Sequence, residues 1–179
     1  MVRLAGTRQI VALRGHRVQL HDTRFGAGDA AKKGIADTLD KLVAKGRLAR
    51  ADADAAVARI ATVVTLPDVC VAQLVVEAIV EDLAAKRELF ERVENVVAAE
   101  CILASNTSGL SLAALSDAVP AELRSRFCGI HFFNPPRYMH LCELIAGPSS
   151  DGAMLDALEA FLTTTLGKGV IRAKDTPNF

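Results

Sequence analysis

The stretch Ile130-His131-Phe132-Phe133-Asn134-Pro135 is followed, twelve residues after the histidine, by Glu143 inside the apolar run Leu141-Cys142-Glu143-Leu144-Ile145. One titratable base and one carboxylate thus stand on hydrophobic flanks. A lone histidine in an apolar strand is more often a hydrogen-bonded core residue than a catalyst. A carboxylate in similar surroundings needs a partner to stay charged. Two such groups on neighbouring strand ends point to a general base and the acid that orients it, the machinery of proton abstraction near neutral pH.

Other polar residues cluster where strands should end. Asp22 closes the alternating segment Arg17-Val18-Gln19-Leu20-His21-Asp22, just ahead of the breaks at Gly26 and Gly28. Ser105-Asn106-Thr107-Ser108-Gly109 follows a strand expected over 101–104, and its hydroxyl and amide groups suit either a ligand or a helix cap. Glu81 and Asp82 open a helix that carries Lys86 one turn later. Acids are favourable at that end, and Lys86 reads with Arg87, Glu91 and Glu94 as part of its solvated face.

The elements that must position these groups alternate. A helix over 4–14 stops at Gly15, the strand 17–22 follows, and helical periodicity runs from 29 to 60. A break at Gly46 makes that stretch a helical hairpin. Next come strands at 61–66 and 74–80 around a loop at Pro67-Asp68, then a helix over 82–98 with Leu83, Leu89, Phe90, Val93 and Val97 near one stripe. A short helix at 112–118, strands at 127–133 and 141–145, a helix over 151–166 and a strand at 169–174 complete the pass. The alternation predicts an α/β protein with a largely parallel sheet covered by helices on both faces, whose ligands bind beyond the carboxyl ends of the strands.

Composition narrows the function classes. With 51% apolar and 4% aromatic residues, the 179-residue chain suits one domain with an Ala/Val/Leu core. Twenty-one basic and twenty-one acidic residues cancel, so nothing suggests a nucleic-acid partner. The longest apolar run, 71–80, is too short to span a bilayer and contains Gln73 and Glu77. Cys70, Cys101, Cys128 and Cys142 lack metal-site or disulfide spacing, which predicts reduced thiols, no metal, and a cytoplasmic location. Four arginines without an acid in residues 1–21 superficially match a targeting peptide, but a short helix followed by a strand is the simpler reading.

Five segments, in order, resemble the NAD-binding domain of the 3-hydroxyacyl-CoA dehydrogenases, including the version embedded in multifunctional fatty-acid oxidation proteins. They are Gly15-His16-x-Val18-x-Leu20-x-Asp22, Val75-Val76-Glu77-Ala78-Ile79-Val80-Glu81-Asp82-Leu83, Ala104-Ser105-Asn106-Thr107-Ser108, His131-Phe132-Phe133-Asn134-Pro135 and Lys174-Asp175-Thr176-Pro177. The resemblance covers nearly the whole chain and implies a Rossmann-type, doubly wound, mostly parallel sheet with a helical-hairpin insertion. It implies NAD as cofactor and hydride transfer at C3 of a 3-hydroxyacyl-CoA in fatty-acid β-oxidation or related acyl-CoA metabolism.

The resemblance also implies roles. Asp22 would accept the adenosine ribose hydroxyls, Glu81 and Lys86 would lie near the nicotinamide end of the cofactor, Ser108 would meet the acyl carbonyl or the cofactor, and Asn134 would contact cofactor or substrate near the base, although a turn before Pro135 explains Asn134 equally well. His131 would be the general base on the 3-hydroxyl, with Glu143 fixing its tautomer and Ser108 assisting at the acyl group. Thr38 and Lys45 would touch coenzyme A, together with Ser108, the lysine as a point charge near a phosphate. A solvated helix end explains Lys45 equally well.

Two departures from the family pattern stand out. Aligned on Gln9 and Gly15-His16, the Gly-x-Gly-x-x-Gly turn would place its second and third glycines at Met1 and Leu4. At the other end the family continues beyond the Pro177 turn into a helical domain that supplies an active-site asparagine, to which Asn178 does not correspond, and a homodimer interface. Residues 1–179 are therefore expected to be an N-terminally incomplete NAD-binding domain without its helical partner. The alternative is a catalytically incompetent nucleotide-binding or structural fragment of the same family.

Overall fold

A computed structural model of the chain describes residues 5–176, without the side chain of Ala5. The expectations for Met1, Leu4, Pro177 and Asn178 fall outside these residues. The elements pack as two units, one holding residues 5–68 with Asn134–Tyr138 and the other Val69–Phe133 with residues 139–176.

In the first unit, helix α1 (Ala5–Leu13) leads to strand β1 (Val18–His21), the hairpin α2 (Ala27–Ala44) and α3 (Arg50–Ala58), and strand β2 (Ile60–Val63). β1 and β2 pair in parallel, Val18 beside Ile60 and His21 beside Val63. The hairpin forms because α2 repeats apolar residues at helical spacing: Ala31, Ile35 and Leu39 are buried and meet Ala53 and Ala56 of α3, with Ala12, Leu20 and Ile60, in one core. It turns at Gly46, whose φ of 64° only glycine adopts without strain. There Gly46 N–H reaches Val43 O and Arg47 N–H reaches Leu42 O, both at 2.9 Å, which satisfies two of the last carbonyls of α2. β2 stops at Val63, short of the expected 66, because the chain tightens into a 3-10 turn at Leu66–Val69. Pro67 has no N–H for a ladder, and the Asp68 carboxylate accepts the Thr65 backbone N–H and hydroxyl at 3.0 and 2.8 Å.

The second unit contains β3 (Leu74–Glu77), α4 (Leu83–Glu94), β4 (Ile102–Ser105), α5 (Leu112–Ala118), β5 (Phe127–Phe132), β6 (Leu141–Ala146), α6 (Gly152–Ala160) and β7 (Gly169–Ala173). The sheet runs β3-β4-β5-β6-β7; β5 and β6 are antiparallel and the other pairs parallel. β5 is the most buried strand, and Phe127 meets Phe90 of α4 edge to face with centroids 5.6 Å apart. The strands thus divide between two sheets where one was expected, since among the described residues β1 hydrogen-bonds only β2, and β3 only β4.

Helix ends in this unit follow their capping chemistry. Asp82 accepts Ala85 N–H at 2.8 Å and Asp151 accepts Met154 N–H at 2.7 Å. α6 reaches only Ala160 and continues as a wider π turn at Phe161–Thr165, where the Thr163 and Thr164 hydroxyls donate back to the Ala160 carbonyl. α5 has two caps. Ser111 Oγ accepts from Ala113 and Ala114, and Asp175, beyond β7, accepts Leu112 N–H at 2.7 Å, Ala113 N–H at 2.8 Å and the Ser111 hydroxyl at 2.9 Å. Asp175→Ala is expected to cost about 1–2 kcal/mol, seen as a lower urea midpoint with unchanged slope. A midpoint that does not move would mean that Ser111 alone suffices.

Candidate active site

The antiparallel register places Glu143 directly opposite His131. Opposed residues of such a pair project from the same face, so a spacing of twelve becomes a contact. His131 Nδ1 lies 2.7 Å from Glu143 Oε2, and each side chain retains 15% exposure, so the pair is half-sheltered but still reachable from outside. The alternate residues Ile130, Phe132, Cys142 and Leu144 are buried on the other face and fix both backbones. The Phe133 ring stands 4.8 Å from the imidazole, tilted by 53°. Asn106 Oδ1 accepts Phe132 N–H at 3.2 Å, and Asn106 N–H donates to Glu77 O at 2.8 Å, so this amide ties the ends of β3, β4 and β5 together beside the base.

A second cluster occupies the carboxyl ends of β3 and β4. Lys86 is fully buried, contrary to the solvated position that helical periodicity predicts. Its Nζ donates to both Glu77 oxygens at 2.7 and 2.8 Å and lies 3.4 Å from Glu81 Oε2. The cause is the neighbouring element: Glu77, itself 1% exposed, ends β3 inside the protein, and Lys86 is the cation within reach. A cation four residues past the cap of α4 opposes the helix dipole, and two carboxylates offset it. Ser105 Oγ donates to Glu77 Oε2 at 2.6 Å and Ile79 N–H to Oε1 at 2.6 Å.

Glu81 carries this order into the 107–109 loop. Its Oε1 accepts the Thr107 hydroxyl and the N–H groups of Ser108 and Gly109, the last two at 3.0 Å. Glu77 therefore belongs to the site although the sequence reading does not select it, and Ser105 and Thr107, from the loop already singled out, act there by bonding Glu77 and Glu81. An acid within the apolar run 74–80 was the available signal. Burial opposes ionisation of Glu81, but the bonds from Thr107 and Ser108, the Lys86 charge and the Gly109 bond outweigh it, and its pKa falls below the ordinary value. A depressed carboxyl stabilises the fold above its unfolded pKa, near ~4.3, and loses that contribution as pH falls through the folded value. Glu81→Gln is accordingly expected to be less stable than wild type at pH 7, with the gap closing below about pH 4. Urea titrations at both pH values read this, and a gap independent of pH would refute it.

The first unit carries the remaining candidates. Asp22 follows β1 and is engaged by Arg24: Oδ1 accepts Arg24 N–H at 2.9 Å and Nε–H at 3.2 Å, and Oδ2 accepts Nη2–H at 3.2 Å. These bonds, the side-chain one foremost, hold the Asp22 carboxyl below its usual value. Arg8 of α1 senses the same carboxylate, while burial pulls its own pKa down. Thr7 Oγ1 and Gln9 Nε2, also on α1, are buried without a hydrogen-bond partner among the described residues. A strand-end carboxylate such as Asp22 has the acceptor chemistry that the ribose hydroxyls of a dinucleotide require.

Thr38 and Lys45 lie on α2, but Thr38 returns its hydroxyl to Gly34 O at 2.8 Å and Lys45 is the exposed C-cap. Neither lines the open cleft of about 440 Å³ between α2 and α3, whose charged walls are Lys32, Asp40, Arg50 and Asp54. Asn134 precedes Pro135 in the first unit, joined to it by a cis peptide.

Comparison with known proteins agrees with this geometry. A family model described as the 3-hydroxyacyl-CoA dehydrogenase NAD-binding domain matches residues 5–176. Mitochondrial hydroxyacyl-coenzyme A dehydrogenase of Sus scrofa is 39% identical over 182 residues, which are 98% of this chain and 57% of that protein. Among solved structures, 3-hydroxybutyryl-CoA dehydrogenase of Escherichia coli superposes with a TM-score of 0.92 at 31% identity, over 98% of this chain and 36% of that one. (S)-3-hydroxybutyryl-CoA dehydrogenase of Ralstonia eutropha gives 0.91 at 33% identity, over 98% and 61%. The architecture is thus the Rossmann-type α/β one, and the chain spans little more than half the length of the curated relative.

Proposed function

The chain belongs to the 3-hydroxyacyl-CoA dehydrogenase family, as its NAD-binding domain, and from that premise we propose that it serves an oxidoreductase acting at C3 of 3-hydroxyacyl-CoA. The observation that carries this reading is the 2.7 Å contact of His131 Nδ1 with Glu143 Oε2. With Nδ1–H donated to the carboxylate, the basic lone pair of the neutral ring is on Nε2. Nε2 takes the proton of the 3-hydroxyl as the C3–H bond breaks and the C3=O bond forms. Bound NAD supplies the hydride acceptor. Glu143 then faces an imidazolium and stabilises it, and in the reductive direction the same proton returns to the nascent alkoxide.

Glu77, Lys86 and Glu81 hold the backbone of Ser108 in place, which supports Ser108 at the acyl group or cofactor. Asp22, Glu81, Lys86 and Asn134 on the cofactor side, and Thr38 with Lys45 toward coenzyme A, complete the proposed set. Lys86 acts in it by holding Glu81 and not by touching the ligand. A place in fatty-acid β-oxidation fits the substrate class, and a homodimer is proposed for the whole enzyme. A cytoplasmic location is supported by four free thiols, of which Cys128 and Cys142 are pushed up to about 12 by burial. NADH consumption on acetoacetyl-CoA, followed by absorbance, tests the proposal. NADH binding without any turnover would favour a nucleotide-binding module instead.

A further inference from the structure

The pairing of Arg24 with Asp22 bears on which dinucleotide the first unit admits. An ionised carboxylate offers about four lone-pair positions. Arg24 fills three of them, two on Oδ1 and one on Oδ2. A ribose diol brings two hydroxyl donors and finds one acceptor position left, unless the arginine side chain moves away. The guanidinium keeps its remaining N–H groups, with 61% of its side chain exposed. Planar guanidinium forks match phosphate oxygens, and the charge near Asp22 is not that of a bare acid, because Arg24 cancels it and Arg8 adds a further positive group. Beside them the Phe25 ring is fully exposed, an apolar face of the kind on which a nucleobase stacks.

We propose that Arg24 is a specificity-determining residue that lets this chain accept a 2′-phosphorylated dinucleotide, NADP(H), as well as NAD(H). The inference rests on the reading of Asp22 as the adenosine-ribose acid and extends it. A 2′-phosphate draws Arg24 off the carboxylate into a bidentate contact, whereas a ribose 2′-hydroxyl competes with Arg24 for the same oxygens. Removing the arginine therefore moves the two affinities in opposite directions.

The test is titration of the purified chain with NADH and with NADPH, read by nicotinamide fluorescence, for wild type, Arg24→Ala and Asp22→Asn. Wild-type Kd values within about tenfold of each other are expected. Arg24→Ala should weaken NADPH by about tenfold or more and tighten NADH, and Asp22→Asn should tighten NADPH. The exposure of Arg24 leaves folding out of the result, which circular dichroism verifies. NADH bound more than about tenfold tighter than NADPH by wild type, or Arg24→Ala shifting both ligands the same way, overturns the inference and leaves the NAD reading intact. Silence toward both dinucleotides overturns the two together.

Discussion

Alanine at position 131 is expected to lower kcat for acetoacetyl-CoA reduction by about 10²–10⁴-fold, the usual contribution of a positioned general acid or base. The imidazole Nε2 has no substitute nearby on its strand, since Ile130 and Phe132 are apolar and point to the other face. The alanine variant also leaves Glu143, only 15% exposed, without its partner, at a cost of about 1–3 kcal/mol. A glutamine variant separates the two effects. Its amide can donate to Glu143 but cannot carry a proton to and from substrate, so His131→Gln should keep most of the stability and lose the same turnover. Glu143→Gln should act through the tautomer: an amide that donates to Nδ1 moves the ring proton to Nε2, where the base is needed. If both position-131 variants unfold while retaining activity per folded molecule, His131 is a core residue and the mechanism fails.

The largest stability effect is expected at Lys86. Lys86→Ala removes the cation that pairs with Glu77 among the described residues and leaves a carboxylate of 1% exposure inside the protein, a change that typically costs about 3–5 kcal/mol. The Ser105 hydroxyl and Ile79 N–H still reach the carboxylate, but hydrogen bonds do not replace a countercharge. Against a total of about 5–15 kcal/mol for a domain, such a loss brings the chain near unfolding at body temperature. Pairing the change with Glu77→Gln removes the orphaned charge and should recover most of the loss, since a buried ion pair is seldom better than a neutral replacement of similar shape. A single variant costing less than about 1 kcal/mol, with no recovery in the double, would show that water or a shifted backbone already compensates Glu77. Glu81 should feel the change too, because it loses the Lys86 charge and with it part of the order it lends to Ser108.

What the sequence makes legible here is local. Gly15 and Gly46 end their helices as expected because a residue with φ above zero at a helix end is a backbone requirement that few side chains meet. Asp82 and Asp151 cap theirs, and the 112–118 helix has the predicted bounds. His131 and Glu143 could be matched because two polar residues in apolar strands each lacked a local partner. Lys86 could not. Helical period assigns it to a charged face, and only the packing of α4 over the end of β3, a relation between elements, takes it inside. Arg24 is hidden for the opposite reason: its bond to Asp22 spans only two residues, so the strand-end acid reads as standing alone. The π turn at 161–165 depends on threonine hydroxyls competing for carbonyls, which periodicity does not record.

The antiparallel ladder of β5 and β6 also bears on how the chain reaches its folded form. Phe132 and Cys142 pair at a separation of ten residues, whereas each parallel ladder among the described residues joins residues farther apart in sequence, as Val18 with Ile60, Leu74 with Ile102 and Leu141 with Gly169. Closing a loop loses chain entropy that grows with its length, and contacts close in sequence form soonest. His131 and Glu143 sit on the antiparallel ladder, which alone among those of the described residues needs no crossover. The pair assigned to proton transfer can therefore find its register from a nearby stretch of chain, while the parallel strands on either side wait for distant segments to arrive.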